Sequence, residues 1–206
     1  MRGTVFGIVA LLAVVAAGSS TAAERVPERL FRPVAAARPD QALFNEAVLL
    51  YANAARRAHG RAPLRADIGL SRAAAGHAAN MARLRTHGHD LPVRGQATLS
   101  QRLHRQSTAF RLAAENIARD KLYHLLGRPI STRSEGCRFT YGDTGEPVPV
   151  HSYASLAEQV VARWMKSPKH RASLLSATFR RHGAGLGVDP KGAACGDLYV
   201  VQDFAD

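Results

Sequence analysis

Residues 164–171 read Trp-Met-Lys-Ser-Pro-Lys-His-Arg, and this stretch decides the fold. Ser167 is a good N-cap residue and Pro168 suits the first position of a helix, so a new helix is predicted to begin here. It should run to about Ser176, with His170 at its third position. Because the positive end of a helix disfavours a charged imidazole, we expect a lowered pKa for His170 and a neutral ring near neutral pH.

Another helix is predicted immediately upstream of this stretch. Ser155 and Glu158 have the spacing of a capping box, and the apolar residues Val160, Val161 and Trp164 follow them. The pattern therefore predicts a helix that begins at Ser155. In this interpretation the capping box accounts for Glu158, and Trp164 lies in the core.

The chain downstream of these helices is typical of a β-hairpin. Residues 183–188 and 198–204 are strand-like runs, and Asp-Pro-Lys-Gly at 189–192 marks the turn between them. Further upstream, residues 114–118 have apolar side chains at alternate positions and predict a short strand. Residues 119–154 contain Gly, Pro, Ser and Thr throughout, which predicts a long, ordered but irregular excursion.

Three helices are predicted in the first half of the chain. The first covers residues 42–58, the second follows the N-cap Asp67 and ends at Gly88, and a short third covers residues 99–106. His77 lies on the apolar stripe of the second helix, which favours a hydrogen-bonded core histidine. Helices on both sides of a few strands predict an α/β protein with α-β-α layering.

The N-terminus has the pattern of a signal peptide. Arg2 supplies a positive charge, residues 5–17 are apolar, and small residues at 19–23 provide a cleavage site. We expect residues 1–23 to be removed and the protein to be exported to the periplasm or the medium. An uncleaved anchor is the alternative, which the short apolar run disfavours. Residues 24–40 are polar and predict an extended lead-in.

Two cysteines, Cys137 and Cys195, follow the signal segment. In an oxidising compartment an even pair favours a disulfide bond, whereas a tetrahedral zinc site would need histidine partners as well. A disulfide here would tie the irregular excursion to the closing hairpin.

The protein is strongly basic, with a formal net charge of +12. Removal of residues 1–23 deletes one arginine and no acidic residue and leaves +11. Such a charge favours attraction to lipid head groups, acidic wall polymers or nucleic acid. The arginines are scattered and no aromatic-interleaved basic stripe is present, so specific nucleic-acid binding is not predicted. We expect a monomer without a transmembrane segment after signal cleavage.

Several short motifs resemble the CAP superfamily, which groups cysteine-rich secretory proteins, antigen 5 and pathogenesis-related class one proteins. In chain order they are Asn53-x-x-Arg56, His77-Ala-Ala-Asn-Met81-Ala, Glu115-Asn-Ile-Ala118, Trp164–Arg171, Gly183-Ala-Gly-Leu-Gly187 and Tyr199-Val-Val-Gln-Asp-Phe204. The resemblance implies a three-layer α-β-α sandwich with a small central antiparallel sheet. The domain would cover residues 41–206, with residues 119–154 as a long insertion.

The resemblance also implies a cleft with polar residues. His89, Glu115 and His170 match three of the four members of the family's His and Glu constellation, and no residue is predicted with confidence to be catalytic. His89 and His170 would hold one divalent metal ion, zinc being the best fit. The fourth member would lie three residues past the tryptophan, where this chain has Ser167. His87, two residues before His89, is expected to be an ordinary surface residue.

Three function classes are open from the sequence. CAP relatives include lipid and sterol binders, and this chain has no nucleophile elbow, HExxH pair or phosphate loop. We therefore predict a non-catalytic binding module for an envelope lipid or an acidic wall polymer. The alternative is a metal-assisted hydrolase, a peptidase or wall-modifying enzyme, that uses the same cleft. The third is an accessory envelope-stability factor held in place by charge alone.

Overall fold

The computed structural model describes residues 25–131 and 137–206, so the predicted signal peptide lies outside the described residues. Five α-helices and four strands are found in these ranges. The helices are α1 (Gln41–Ala58), α2 (Ile68–Leu84), α3 (Leu99–Arg105), α4 (Tyr153–Lys166) and α5 (Pro168–Leu174). The strands are β1 (Arg65–Ala66), β2 (Ala113–Lys121), β3 (Arg181–Asp189) and β4 (Asp197–Ala205).

The strands form one mixed sheet in the order β1-β3-β4-β2. The β3–β4 hairpin is antiparallel, as predicted, and β2 pairs antiparallel with β4, so that Glu115 lies opposite Asp203. The short β1 was not predicted, and it runs parallel to the start of β3. Two residues are too few for a strand pattern to stand out in the sequence.

Helices cover both faces of the sheet, so the predicted α-β-α layering is confirmed. Helices α1 and α4 pack on one face around Phe44, Val160 and Trp164, and α2 packs on the other face against β3 and β4. Trp164 is buried, as predicted, and its indole N–H donates a hydrogen bond of 3.1 Å to the carbonyl of Ile117 on β2. The tryptophan therefore fixes α4 to the edge strand that carries the Glu115 motif.

The glycines of β3 allow α2 to approach the sheet closely. A Cβ atom added at Gly185 would lie 2.2 Å from the backbone nitrogen of Ala75, far inside van der Waals contact. Gly183 and Gly187 meet the α2 backbone in the same way. Alternate residues of a strand face the same side, so the Gly-x-Gly-x-Gly pattern forms one smooth strip under the helix.

Two predicted helix ends are wrong. Helix α4 begins at Tyr153, because Ser152 is the N-cap and forms a reciprocal capping box with Ser155; Glu158 lies outside it. Helix α2 ends at Leu84 rather than Gly88, because Arg85 adopts a left-handed conformation, with φ 51°. The side chain of Arg85 also pairs with Asp189 at 2.8 Å, which holds this helix end against the hairpin.

The lead-in before α1 is not extended throughout. A 3-10 turn over Glu28–Phe31 buries Leu30 completely, and Val34 is buried as well. The apolar residues of this segment are too few to form a periodic pattern in the sequence. Leu30 and Val34 nevertheless pack into the core beside α1 and α4.

The irregular excursion begins later than predicted, because β2 continues to Lys121. Phe139, Tyr141 and Val148 form a small apolar cluster of its own. The predicted disulfide between Cys137 and Cys195 is confirmed, with a Cα–Cα distance of 5.7 Å. The described part of the excursion is therefore an ordered subdomain attached to the β3–β4 connection. Within the described residues, no helix has the length and apolar character needed to cross a membrane.

Candidate functional site

Glu115 is the centre of the candidate site. It lies on the edge strand β2, on the face that α2 covers, and only 3% of its side chain is exposed. Its Oε1 atom is 2.8 Å from Nδ1 of His89, and its Oε2 atom accepts a hydrogen bond of 2.7 Å from Nη2 of Arg102. Both carboxylate oxygens are therefore engaged by side chains.

The charges around Glu115 favour its ionised form. Burial by itself raises the pKa of Glu115, but the hydrogen bond with His89 and the charge of Arg102 outweigh it and lower the pKa below the ordinary value. The same hydrogen bond raises the pKa of His89, whose side chain is 56% exposed. The pair therefore presents a partly cationic imidazole at the surface with a buried carboxylate behind it.

Arg102 is a site residue that the sequence analysis missed. Its guanidinium group is almost fully buried, and Nη1 donates to the carbonyls of His89 and Ala97 at 3.1 Å each. Arg102 thus fixes both the Glu115 carboxylate and the loop that carries His89. The available signal was its position: it shares the buried face of α3 with Leu99 and Leu103, where an unpaired charge would be costly.

His77 is the hydrogen-bonded core histidine that the sequence predicts. Its ring is fully buried, and Nε2–H donates to the carbonyl of Gly88 at 3.0 Å. The same Nε2 lies 3.7 Å from Oε2 of Glu115, and burial is the main cause that lowers the pKa of His77. The histidine therefore also supports the site, because it holds the residue next to His89.

Asp203 was also missed, and it is the most unusual group in the site. It is fully buried opposite Glu115, and among the described residues no N–H or hydroxyl group donates to either carboxyl oxygen, while the carboxyl group shares a hydrogen bond with the Glu115 carboxylate. Burial, followed by the negative charge of Glu115, raises the pKa of Asp203 well above its ordinary value. Asp203 is therefore the neutral member of the acid pair. Asp203 lies two positions after Val201 on the same strand, and Val201 faces α2. This spacing was the available signal in the sequence that Asp203 is buried on the same face.

His170 occupies the third position of α5, as predicted, although the Ser167 side chain makes no capping hydrogen bond. The amide of Asn116 donates to the backbone carbonyl of His170 at 3.1 Å, which ties α5 to β2 beside Glu115. The pKa of His170 is lowered as expected, but burial and then the charge of His89 cause the shift. The imidazoles of His89 and His170 therefore lie near enough to interact electrostatically.

His87 is exposed at the surface, as the sequence predicts, and it lies close enough to the site to interact with its charges. Burial, followed by the charge of His89, lowers the pKa of His87, and His170 contributes to the same shift. The three histidines therefore share one edge of the molecule.

The residues at this edge do not fit a three-ligand zinc site. Both oxygens of Glu115 are already engaged, and the Arg102 cation that binds one of them would repel a metal ion. Within residues 25–131 and 137–206, no three His, Cys, Asp or Glu side chains lie close enough together to hold a metal. A two-histidine site formed by His89 and His170 stays a prediction.

A comparison with known protein families shows the family of this chain. The model of the CAP family, described as the cysteine-rich secretory protein family, matches residues 49–204. This chain belongs to the CAP family. The matched region of the CAP domain contains every residue of the site described above, including the buried Arg102 and Asp203.

Solved structures of bacterial proteins share the fold. An extracellular protein with an SCP domain from Bacillus anthracis str. Ames has a TM-score of 0.52 at 24% identity, over 79% of this chain and 40% of that chain. An outer surface protein from Borrelia burgdorferi has a TM-score of 0.51 at 21% identity, over 78% and 92%. This chain thus spans less than half of the Bacillus protein. A search of curated proteins returned no match.

Proposed function

We propose that this CAP-family protein is a non-catalytic binding module whose ligand occupies the cleft at His89, Glu115 and His170. The observation that carries the proposal is the state of Glu115, whose two oxygens are taken by His89 and Arg102. A carboxylate engaged in this way is a poor general base, because His89 and Arg102 stabilise its ionised form and lower its pKa. It serves instead to orient the exposed imidazole of His89.

An anionic ligand suits this cleft best. Glu115 favours the protonated form of His89, and Lys169 and Arg171 are exposed on either side of His170. The whole chain is basic as well, with a net charge of +12. Envelope lipids with anionic head groups and acidic wall polymers are therefore the candidate ligands.

The expected export of the protein supports this choice of ligand. Two solved structures that share the fold are described as an extracellular protein and as an outer surface protein. An exported protein with an expected signal peptide at residues 1–23 would meet envelope lipids and wall polymers in the periplasm or outside the cell.

Native mass spectrometry of the protein purified from its own envelope fraction tests the proposal. We expect a bound lipid or polymer fragment on the wild type and on the control variant His59→Ala, which removes an exposed histidine at the end of α1. The double variant His89→Ala/His170→Ala should lose the adduct while it still unfolds in one cooperative transition, at a lower midpoint because Glu115 loses one partner. An identical adduct on all three proteins would show that the ligand binds elsewhere.

Two further measurements separate this function from the metal-assisted hydrolase. Turnover of casein or peptidoglycan that disappears in His89→Ala would favour the enzyme, and we expect no turnover. Zinc analysis of the wild type and of His170→Ala tests the two-histidine site. Zinc that is bound by the wild type and lost in the variant would support the site, and equal near-zero zinc in both would exclude it.

A further inference from the structure

One end of the central sheet gathers exposed arginines and aliphatic side chains outside the cleft. The register aligns Arg65 of β1, Arg181 of β3, Ala205 of β4 and Ala113 of β2 in a single row across the sheet. Three strand spacings make this row about 14 Å wide. The segments that enter or leave the sheet at this row therefore meet on one surface.

Five residues of these segments define what we call the basic end: Arg65, Ile68, Arg111, Leu112 and Arg180. Backbone hydrogen bonds hold them around the row, since Arg65 N–H donates to the Arg180 carbonyl and Asp206 N–H donates to the Leu112 carbonyl. Ile68 follows Asp67, whose carboxylate pairs with Arg181 at 2.9 Å. The basic end is therefore a rigid surface built on the sheet itself.

The two aliphatic side chains at the basic end are unusually exposed. Ile68 is 69% exposed and Leu112 is 58% exposed, and only two other large apolar residues in the described chain, Phe31 and Leu126, are comparable. Between Arg111, Leu112 and Arg180 the surface forms an open groove of about 540 Å³. Aliphatic side chains placed beside arginines are typical of surfaces that enter a lipid interface.

Positive charge at the basic end is only partly neutralised. Arg111 pairs with Asp206 and Arg181 pairs with Asp67, but Arg65 and Arg180 have no ion pair within residues 25–131 and 137–206. The pKa of the nearby buried Arg56 is lowered by burial and then by the positive charge of Arg180. An anionic surface would supply the missing counter-charges.

We propose that the basic end docks the protein onto a bilayer surface rich in anionic head groups, with Ile68 and Leu112 entering the interfacial region. The arginines then pair with head-group phosphates, and the aliphatic side chains leave water. A bilayer fits better than nucleic acid, because Ile68 and Leu112 can neither stack on bases nor hydrogen-bond to them. Membrane docking by the basic end is separate from ligand binding in the cleft and does not depend on it.

Vesicle co-sedimentation tests the proposal with two charge-matched variants. Arg65→Gln/Arg180→Gln removes two charges at the basic end. The control Arg32→Gln/Lys191→Gln removes two exposed charges near the opposite end of the sheet, where Lys191 lies in the β3–β4 turn. On vesicles of equal parts phosphatidylcholine and phosphatidylglycerol, we expect about 30-fold weaker binding for the first variant and a far smaller loss for the control. Equal losses would mean binding by net charge alone and would overturn the proposal.

The aliphatic contribution has its own matched pair. Leu112→Ser should weaken vesicle binding about tenfold. Leu126→Ser, with the same 58% exposure in the irregular excursion, should leave it unchanged. Equal binding by the two variants, or tighter binding of the wild type to duplex DNA than to these vesicles, would overturn the proposal.

A cleft variant separates this inference from the proposed function. His89→Ala/His170→Ala should bind the vesicles as the wild type does, whatever happens to its adduct in native mass spectrometry. Loss of vesicle binding in this variant would place the lipid in the cleft and overturn docking by the basic end. A single cooperative unfolding transition would confirm that each variant is folded.

Discussion

At the scale of single residues, Glu115 and Asp203 stand side by side on β2 and β4 in opposite states. Glu115 has two cationic or donor partners, and its pKa is lowered. Among the described residues Asp203 receives no hydrogen bond from an N–H or hydroxyl group, and burial together with the neighbouring Glu115 raises its pKa. The arrangement holds one negative charge instead of two in a buried space, which is the cheaper state for closely spaced carboxyl groups.

The first prediction concerns Asp203→Asn. Because the folded pKa of Asp203 lies above the unfolded value of 3.8, its contribution to stability is complete below that pH and is lost as the pH rises towards the folded pKa. Asparagine cannot ionise. The variant should therefore gain stability at neutral pH, by about 1.4 kcal/mol for each pH unit above 3.8 until the pH reaches the folded pKa. Urea unfolding at about pH 5 and about pH 8 measures this.

Asp197→Asn is the control with the opposite sign. Lys121 and Arg119 bind the Asp197 carboxylate and lower its pKa despite its burial. Its stabilising effect is present above pH 3.8 and is lost as the pH falls, so this variant should be less stable at neutral pH. A less stable Asp203→Asn at pH 8 would contradict the assignment of a neutral Asp203.

At the scale of elements, the contact between α2 and β3 depends on glycine. Gly185→Ala would place a methyl group 2.2 Å from the Ala75 nitrogen, in backbone that cannot move independently. We expect the free energy of unfolding, measured in urea, to fall by about 1–3 kcal/mol or more. Gly76→Ala, within α2 itself, meets nothing closer than 3.7 Å and should instead gain up to about 1 kcal/mol. Equal effects of the two variants would contradict the packing described.

The disulfide determines how firmly the excursion is attached. Cys137 and Cys195 are 58 residues apart, so in the chain-entropy model the bond contributes about 4 kcal/mol. Cys137→Ser/Cys195→Ser should lose up to this amount, and added reductant should lower the unfolding free energy of the wild type but not of the variant. A variant as stable as the oxidised wild type would argue that the Phe139–Tyr141–Val148 cluster alone holds the excursion.

At the scale of the whole molecule, buried histidines make the fold sensitive to acid. Burial lowers the pKa of His151 and of His182 to about 4. Each ring stays neutral when folded but gains a proton near pH 6.5 when unfolded, so stability is present above pH 6.5 and is lost as the pH falls towards 4. We expect the free energy of unfolding to fall steadily over this range.

His182→Asn tests this acid sensitivity. His182 is fully buried, and its Nδ1 is 3.0 Å from the amide nitrogen of Gln202. The variant should show a shallower decline in stability between pH 6.5 and about 4, even if it is less stable at neutral pH. His59→Gln, an exposed histidine, should keep the wild-type slope. Parallel slopes for all three proteins would assign the acid sensitivity to other groups.

The sequence alone determined the family and the elements other than β1 and the 3-10 turn of the lead-in. Helix caps such as Asp67, the Ser167-Pro168 restart and the glycine strip of β3 are local signals, because each depends on residues within a few positions. They predicted the layers, the hairpin and the disulfide correctly. The predicted end of α2 and the predicted start of α4 were wrong. Arg85 ends α2 through its left-handed backbone and Ser152 begins α4 as its N-cap, and several nearby residues could have taken either role.

Only the tertiary structure decided what surrounds Glu115. The motifs predicted that Glu115 and the two histidines belong to one site, but not that Arg102 would take one carboxylate oxygen or that Asp203 would lie opposite. Strand register and the path of the loop after α2 bring these groups together across up to 114 residues of chain, the separation of His89 and Asp203. A buried charge is stabilised by the partner that tertiary packing places beside it. The spacing of residues in the sequence does not indicate which partner that is.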